Sequence, residues 1–281
     1  MKVFSYILDI KEFLQSRKTL GHTIGFVPTM GALHEGHISL IERARHENDL
    51  CVCSVFVNPI QFNNPEDFKR YPVDKEKDMA MLADVGCDII FMPDHNEMYP
   101  EPVLDVYDFG ALDQVMEGKF RPGHFNGVAI VVKKLFEIIE PDNAYFGEKD
   151  YQQLQIILSL VRMMNMPVNI VPCPIIRDPD GLALSSRNAL LSEHERSIAP
   201  AIAAILNESA SLAGTMSVTA LKSFVRSKIR AVPEFRLDYF EIADGTTLRP
   251  VKVWAASENI RAFIAVYLGK VRLIDNIKIF L

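Results

Sequence analysis

Apolar residues in the first 176 positions follow two alternating rhythms. Unbroken short runs read as strands: Ile24-Gly25-Phe26-Val27-Pro28, then 50–57 (LCVCSVFV), then Asp88-Ile89-Ile90-Phe91-Met92, which Pro93 ends. Between them the spacing turns helical, with Ile38, Ile41 and Ala44 on one stripe, and Met79, Leu82 and Ala83 on another within 74–85. Further along, 127–140 reads as a helix stopped before Pro141, Ala144-Tyr145-Phe146 as a strand, 150–165 as a long helix and 168–176 as another strand. A continuous apolar run is what a strand covered on both faces needs. Strand–helix alternation of this kind predicts an α/β fold, a Rossmann-like parallel sheet covered by helices. Such sheets bind ligands at the carboxyl ends of their strands, where strand order reverses.

The rhythm changes at Arg177-Asp178-Pro179-Asp180-Gly181, a cluster of turn-forming residues. Helical stretches follow near 192–213 and 217–231, then strands near 237–243, 261–268 and 271–278. Helices followed by clustered strands predict a smaller C-terminal α+β domain. The expected division is 1–176 for the catalytic domain and 177–281 for the smaller one.

Composition narrows the classes. The chain has 281 residues, 49% hydrophobic and 23% charged, which excludes a disordered or fibrous protein. The formal net charge is −6, so binding to nucleic acid is not expected. No apolar run reaches the roughly 18–20 residues of a membrane span. The start, Met1-Lys2-Val3-Phe4-Ser5, is followed by Asp9, Lys11 and Glu12, with none of the apolar block of a signal peptide. The expected setting is cytoplasmic. The cysteines, Cys51, Cys53, Cys87 and Cys173, contain no CxxC pair and read as buried small residues, not as a zinc site.

Four segments bear chemistry. Pro28-Thr29-Met30-Gly31-Ala32-Leu33-His34-Glu35-Gly36-His37 joins a strand to a helix. His34 and His37 share a face at that spacing, Gly36 leaves the backbone bare, and the helix start offers N–H groups and partial positive charge. Together these suit a polyphosphate. Val57-Asn58-Pro59-Ile60-Gln61-Phe62 follows the second strand; Asn58 and Gln61 could read a hydroxyl and a carboxylate, although sequence physics alone favours an ordinary Asn-Pro turn. In Gly147-Glu148-Lys149-Asp150-Tyr151-Gln152-Gln153, Lys149 could neutralise phosphate and Asp150 accept from a ribose, while Asp150 and Gln153 also have capping-box spacing. Leu184-Ser185-Ser186-Arg187-Asn188 sets two hydroxyls beside a guanidinium, as a phosphate or a helix start would use them. Gly181 upstream would permit lid mobility. The segment Glu117-Gly118-Lys119-Phe120-Arg121-Pro122-Gly123-His124 reads as a polar loop, covering a site, meeting a partner or merely solvated. Asp78 is a magnesium-ligand candidate only by lying on a catalytic-domain helix.

The order of these pieces resembles the nucleotidyltransferase-like superfamily with a HIGH-type signature and a KMSKS-like loop, carried here by His34-Glu35-Gly36-His37 and Ser185-Ser186-Arg187. Within it the chain resembles the pantothenate synthetase (pantoate–β-alanine ligase) family over essentially its whole length, on PTMGALHEGH at 28–37, FVNPIQF at 56–62, EGKFRPGHF at 117–125, GEKDYQQ at 147–153 and LALSSRN at 182–188. The resemblance implies condensation of (R)-pantoate with β-alanine, using ATP and Mg²⁺, through pantoyl adenylate and with release of pyrophosphate and AMP. It also implies a homodimer and a C-terminal domain that closes over the site. By position it implies an ATP site of Met30, Gly31, Ala32, Leu33, His34, Glu35, Gly36, His37, Gly147, Glu148, Lys149, Asp150, Ile176, Leu184, Ser185, Ser186 and Arg187. His37 is implied as the catalytic proton donor, with His34, Lys149 and Arg187 also catalytic. Gln61 would contact pantoate and β-alanine, and Gln153 pantoate. The alternatives are another adenylyl- or cytidylyltransferase, a tRNA-charging relative, which the acidic charge and lack of an anticodon-binding extension oppose, and a nucleotide-binding regulatory module.

Overall fold

The computed structural model describes residues 1–63 and 65–280. In chain order its elements are β1 (Lys2–Phe4), α1 (Ile7–Thr19), β2 (Ile24–Thr29), α2 (Glu35–Glu47), β3 (Leu50–Val55), α3 (Pro65–Arg70), α4 (Lys75–Asp84), β4 (Ile89–Phe91), α5 (His95–Met98), α6 (Met116–Phe120), α7 (His124–Ile139), β5 (Asn143–Gly147), α8 (Tyr151–Met163) and β6 (Asn169–Cys173), followed by α9 (Glu193–Ile198), α10 (Ala201–Leu212), α11 (Val218–Arg230), β7 (Phe235–Asp244), β8 (Ile260–Leu268) and β9 (Val271–Ile279). They form two units. The first holds Met1–Phe109, Arg121–Glu148 and Gln153–Pro174; the second holds Gly110–Phe120, Lys149–Gln152 and Ile175–Leu281. The second thus takes in two short segments from the first 176 residues, which nothing in the sequence pattern sets apart.

In the first unit six strands pair in the order β1-β4-β3-β2-β5-β6, every pairing parallel. Alternation along the strands sorts the two faces. Val27, Cys51, Cys53 and Ile90 pack with Leu40, Ile41 and Ala44 of α2 and Leu82 of α4. Phe26 faces the other way and meets Phe136 of α7 at 6.3 Å, and Phe136 also meets Phe146 of β5 at 6.4 Å. Covering both faces explains why β3 is an unbroken apolar run. All four cysteines are buried free thiols, as their spacing predicted. The edge strand β1 and helix α1 fall outside the elements read from sequence. Exposed positions such as Tyr6 and Leu8 interrupt the apolar pattern there.

The second unit carries an antiparallel sheet, β7-β8-β9. Ile260, Ala262, Ile264, Val266 and Leu268 alternate along β8 and pack against Ile202, Ile205 and Leu206 of α10 and Leu221, Val225 and Ile229 of α11. The helical stretch expected near 192–213 is two helices. Pro200 lacks the N–H that would continue α9 and instead caps α10.

The segment 117–124 is not the polar loop its composition suggested. It forms α6 and the start of α7, and Glu117, Gly118 and His124 are buried. Glu117 accepts both terminal nitrogens of Arg272, at 2.7 and 2.8 Å, and the Tyr239 hydroxyl at 2.7 Å. The register of β7 shifts between Leu237 and Tyr239, and Asp238 there accepts Arg272 Nε at 2.9 Å. A bulge re-aims a side chain in this way. Burial opposes the Arg272 cation, but the hydrogen bonds and charge of Glu117 outweigh it and raise its pKa.

A buried pair broken on one side leaves an uncompensated charge, which costs about 3–5 kcal/mol. Glu117→Ala is therefore expected to lose stability of about that size in urea unfolding. A Glu117→Ala protein as stable as wild type would contradict this account.

Candidate active site

The strand order reverses beside β2. From β2 the chain builds β3 and β4 on one side, then returns to lay β5 and β6 on the other. Loops leaving the carboxyl ends of neighbouring β2 and β5 therefore flank the crevice where open parallel sheets bind ligands. The loop after β2 carries residues 30–37. Strand β5 ends at Gly147 and is followed by the 3-10 turn Glu148–Asp150.

His34 is the N-cap of α2, and its Nδ1 accepts from the Gly36 amide at 3.1 Å. A neutral imidazole accepting at Nδ1 carries its proton on Nε2, a donor suited to a phosphate oxygen. His37 lies one turn along, with the two rings 4.1 Å apart. The sequence expectation of a shared face holds in this geometry, and both sit at the positive end of a 13-residue helix.

Asp78 is corrected from metal candidate to loop anchor. It is 1% exposed, and its two oxygens accept the amides of Ala32 at 2.9 Å and Leu33 at 2.7 Å. The loop needs that anchor. Gly31 and Ala32 both lie in the left-handed region, at φ 77° and 50°. A Cβ on Gly31 would stand 2.7 Å from Asp78 Oδ2. Among the described residues no group of three or more His, Cys, Asp or Glu side chains is placed to hold a metal.

Gln61 ends the 3-10 turn after β3 and is 7% exposed. Its Nε2 lies 2.8 Å from Met30 Sδ, which brings two sequence-predicted site residues together. Asn58 is structural. At 1% exposure it donates to the Gly127 carbonyl (3.1 Å) and Gln61 Oε1 (3.3 Å), and accepts from the Tyr99 hydroxyl (3.0 Å). Burial raises the Tyr99 pKa, keeping the phenol a donor. Helix α7 approaches this turn so closely that a Cβ on Gly127 would lie 2.6 Å from the Gln61 Cα. His124 Nδ1 lies 2.8 Å from the Gln61 carbonyl and its Nε2 lies 3.1 Å from Arg121. A carbonyl only accepts and a guanidinium only donates, so the neutral ring carries its proton on Nδ1. Asn58, Tyr99, Gly127 and His124 were not expected to support Gln61. The only sequence signal was the helical spacing that continues back from Gly127 through His124.

The remaining expected residues fall as follows. Gln153 is half-buried on α8 in the first unit, which also holds Gly147 and Glu148. Lys149, Asp150, Ile176, Leu184, Ser185, Ser186 and Arg187 are in the second. Lys149 Nζ lies 3.7 Å from Asp150 Oδ2. Leu184 N donates to Ile176 O at 3.0 Å, closing a hairpin around the 177–181 turn. Ser185 caps the next turn by accepting from Arg187 N at 3.2 Å, so its helix-start reading is realised. Lys149, Ala183, Ser185 and Asn188 line one small cleft within the second unit.

A sequence profile for pantoate–β-alanine ligase matches residues 2–278. The chain belongs to the pantoate–β-alanine ligase family. It is 52% identical to the pantothenate synthetase of Porphyromonas gingivalis over 278 residues, 99% of each chain. It is 50% identical to the pantothenate synthetase of Bacteroides fragilis, again over 99% of each. The crystal structure of pantothenate synthetase from Thermus thermophilus superposes with a TM-score of 0.94 at 44% identity, covering 100% of both chains. The pantoate–β-alanine ligase of Francisella tularensis, complexed with β-γ ATP and β-alanine, gives 0.83 at 38% identity over 99% of this chain and 97% of that one.

Asp78→Asn puts an NH₂ against a backbone N–H and removes the charge that holds the loop. Pyrophosphate release per folded protein is expected to fall roughly tenfold or more, because misplaced groups lose that much rate. Wild-type release from this variant would sink the anchoring role.

Proposed function

We propose that the chain joins pantoate to β-alanine in two steps on one nucleotide. It is an ATP-using pantoate–β-alanine ligase of pantothenate biosynthesis. In the first step a pantoate carboxylate oxygen attacks the α-phosphorus of ATP. The bond to the bridging oxygen breaks, and pyrophosphate leaves. In the second, the β-alanine amine attacks the acyl carbon of pantoyl adenylate, the bond to AMP breaks and the amine gives up a proton. Adenylation supplies the leaving group that a bare carboxylate lacks.

The observation that carries this reading is the paired imidazoles at the start of α2, beside the strand-order reversal. His34 and His37 are assigned to stabilise negative charge on the phosphates as the α-phosphorus is attacked, and His37 to donate its proton. Met30 to His37 and Gly147 to Asp150 are assigned to the nucleotide, with Ile176 and Leu184 to Arg187. Lys149 and Arg187 supply positive charge, as phosphoryl transfer requires inside an acidic protein. Gln61 is assigned to pantoate and β-alanine, and Gln153 to pantoate.

The donor set fits magnesium that arrives with ATP, whose phosphates and waters are its usual ligands. Asp78 is already committed to two amides. When bound, the ion screens phosphate charge. We also place the ligase in the cytoplasm as a homodimer. The dimer follows the family resemblance, and four buried free thiols fit a reducing compartment. Among the described residues no helix is long and apolar enough to cross a membrane.

The test is to incubate the protein with ATP, Mg²⁺ and (R)-pantoate, then add β-alanine, following pyrophosphate and AMP separately. A pyrophosphate burst, with AMP only after the amine arrives, is expected. Pyrophosphate without amine-dependent AMP would instead indicate a nucleotidyltransferase, and His37→Ala with full turnover would remove the imidazole assignment.

Gln61→Ala should weaken pantoate binding far more than ATP binding in titration calorimetry. Equal weakening of both would count against the assignment of Gln61.

A further inference from the structure

Two adjacent polar residues on β9 are buried where the surrounding sheet is apolar. Asp275 is 5% exposed and Asn276 is 2% exposed. Buried polar groups are costly unless their hydrogen bonds are met. Here each is met by a segment assigned to the nucleotide. We propose that Asp275 and Asn276 are positioning residues for adenylation, fixing where Lys149 and the 185–187 turn present their donors. The proposal rests on the reading of those residues as nucleotide-binding.

Asp275 takes a bidentate pair from Arg177, at 2.6 and 2.9 Å. The same guanidinium donates to the Gly181 carbonyl at 3.1 Å, across the hairpin that Arg177 and Ala183 bridge. Asp275 therefore holds the base and the turn of the hairpin together. Asn188 Nδ2 donates to the Ala183 carbonyl at 3.1 Å and ties the following turn to the same hairpin. Ser185 and Arg187 lie on the stretch between these two anchors. A planar fork on a carboxylate fixes orientation as well as distance.

Asn276 reaches the other segment. Its Nδ2 donates to the Lys149 carbonyl at 3.0 Å, and its Oδ1 accepts from Arg261 at 2.6 Å. Arg261 can only donate, which settles which end of the amide faces it. The Arg261 guanidinium in turn lies 3.9 Å over the Tyr151 ring, two residues beyond Lys149. The 149–151 segment is thus held at two points, the Lys149 carbonyl and the Tyr151 ring. Asp275 and Asn276 are also joined, since the backbone N–H of Asn276 donates to Asp275 Oδ1 at 2.7 Å. Two adjacent strand positions set two loops whose residues, Lys149 and Ser185, line the same cleft.

A role in stability alone would slow both chemical steps together, in proportion to lost folded protein. Positioning of phosphate ligands affects the step in which pyrophosphate departs. Asn276→Asp is the decisive variant, because it keeps the acceptor for Arg261 and turns an acceptor toward the Lys149 carbonyl. Arg177→Lys is the second. Its site is partly exposed, so folding is retained, and it keeps charge while losing the fork. Pantoate-dependent pyrophosphate release is read against AMP release from supplied pantoyl adenylate and β-alanine, with Lys149→Ala alongside. The expected result is a fall of roughly tenfold in the first rate in both variants, with a raised KM for ATP and the second rate close to wild type. Equal loss in both steps, or wild-type release from folded Asn276→Asp and Arg177→Lys, overturns the proposal. If Lys149→Ala also releases pyrophosphate normally, the nucleotide assignment itself fails; if it alone is slow, only the positioning role fails.

Discussion

The carboxylate of Asp78 supports two backbone amides in a stretch where consecutive residues sit at positive φ. For Ala32 that conformation costs roughly 1–2 kcal/mol, so the loop does not hold its shape unaided. Its shape decides everything downstream. It delivers His34 to the N-cap, which starts α2, which in turn places His37 beside His34. It also leaves Met30 against Gln61. Burial makes the anchor strong, because no water competes for the two amides and an unpaired amide there would be costly.

Much of the architecture was legible because its causes are local. Unbroken apolar runs gave the parallel strands other than β1, and helical stripes gave α2, α4 and α11. The C-terminal antiparallel strands followed from simple alternation. The HxGH unit and the LSSRN turn were recognisable because their chemistry lies in contiguous residues. What the sequence hid was long-range. Asp78 meets Ala32 across 46 positions, and Glu117 meets Arg272 across 155. Glu117 and His124 looked like parts of a solvated loop because charge and glycine dominate that stretch, and only their distant partners explain their burial. Asp78 stands in the sequence only as a metal candidate for the same reason. A carboxylate on a helix looks identical whether an ion or two amides await it.

Two buried polar clusters, one in each unit, are built differently. In the first, Asn58, Tyr99 and His124 surround the Gln61 turn with hydrogen bonds that carry little formal charge. In the second, Glu117, Arg272 and Asp238 form a charged network beside the Tyr239 phenol, whose pKa is raised by burial and then by the Glu117 charge. Hydrogen bonds from such partners fix the shape of a turn assigned to small polar substrates without placing a carboxylate of the protein against it. Charged partners buried together give direction and register to a segment, α6, that is too short to hold itself.

The chain passes between its two units at 109/110, 120/121, 148/149, 152/153 and 174/175. This threading has a consequence for biosynthesis. Residues 110–120 leave the ribosome long before β9 exists, yet Glu117 has no buried cation to pair with until Arg272 has been made. Until then the carboxylate of Glu117 lacks the partner that offsets its burial, so this stretch completes its folding late. Strand β9, made after every other element described, is therefore the one that completes the charged network of the second unit.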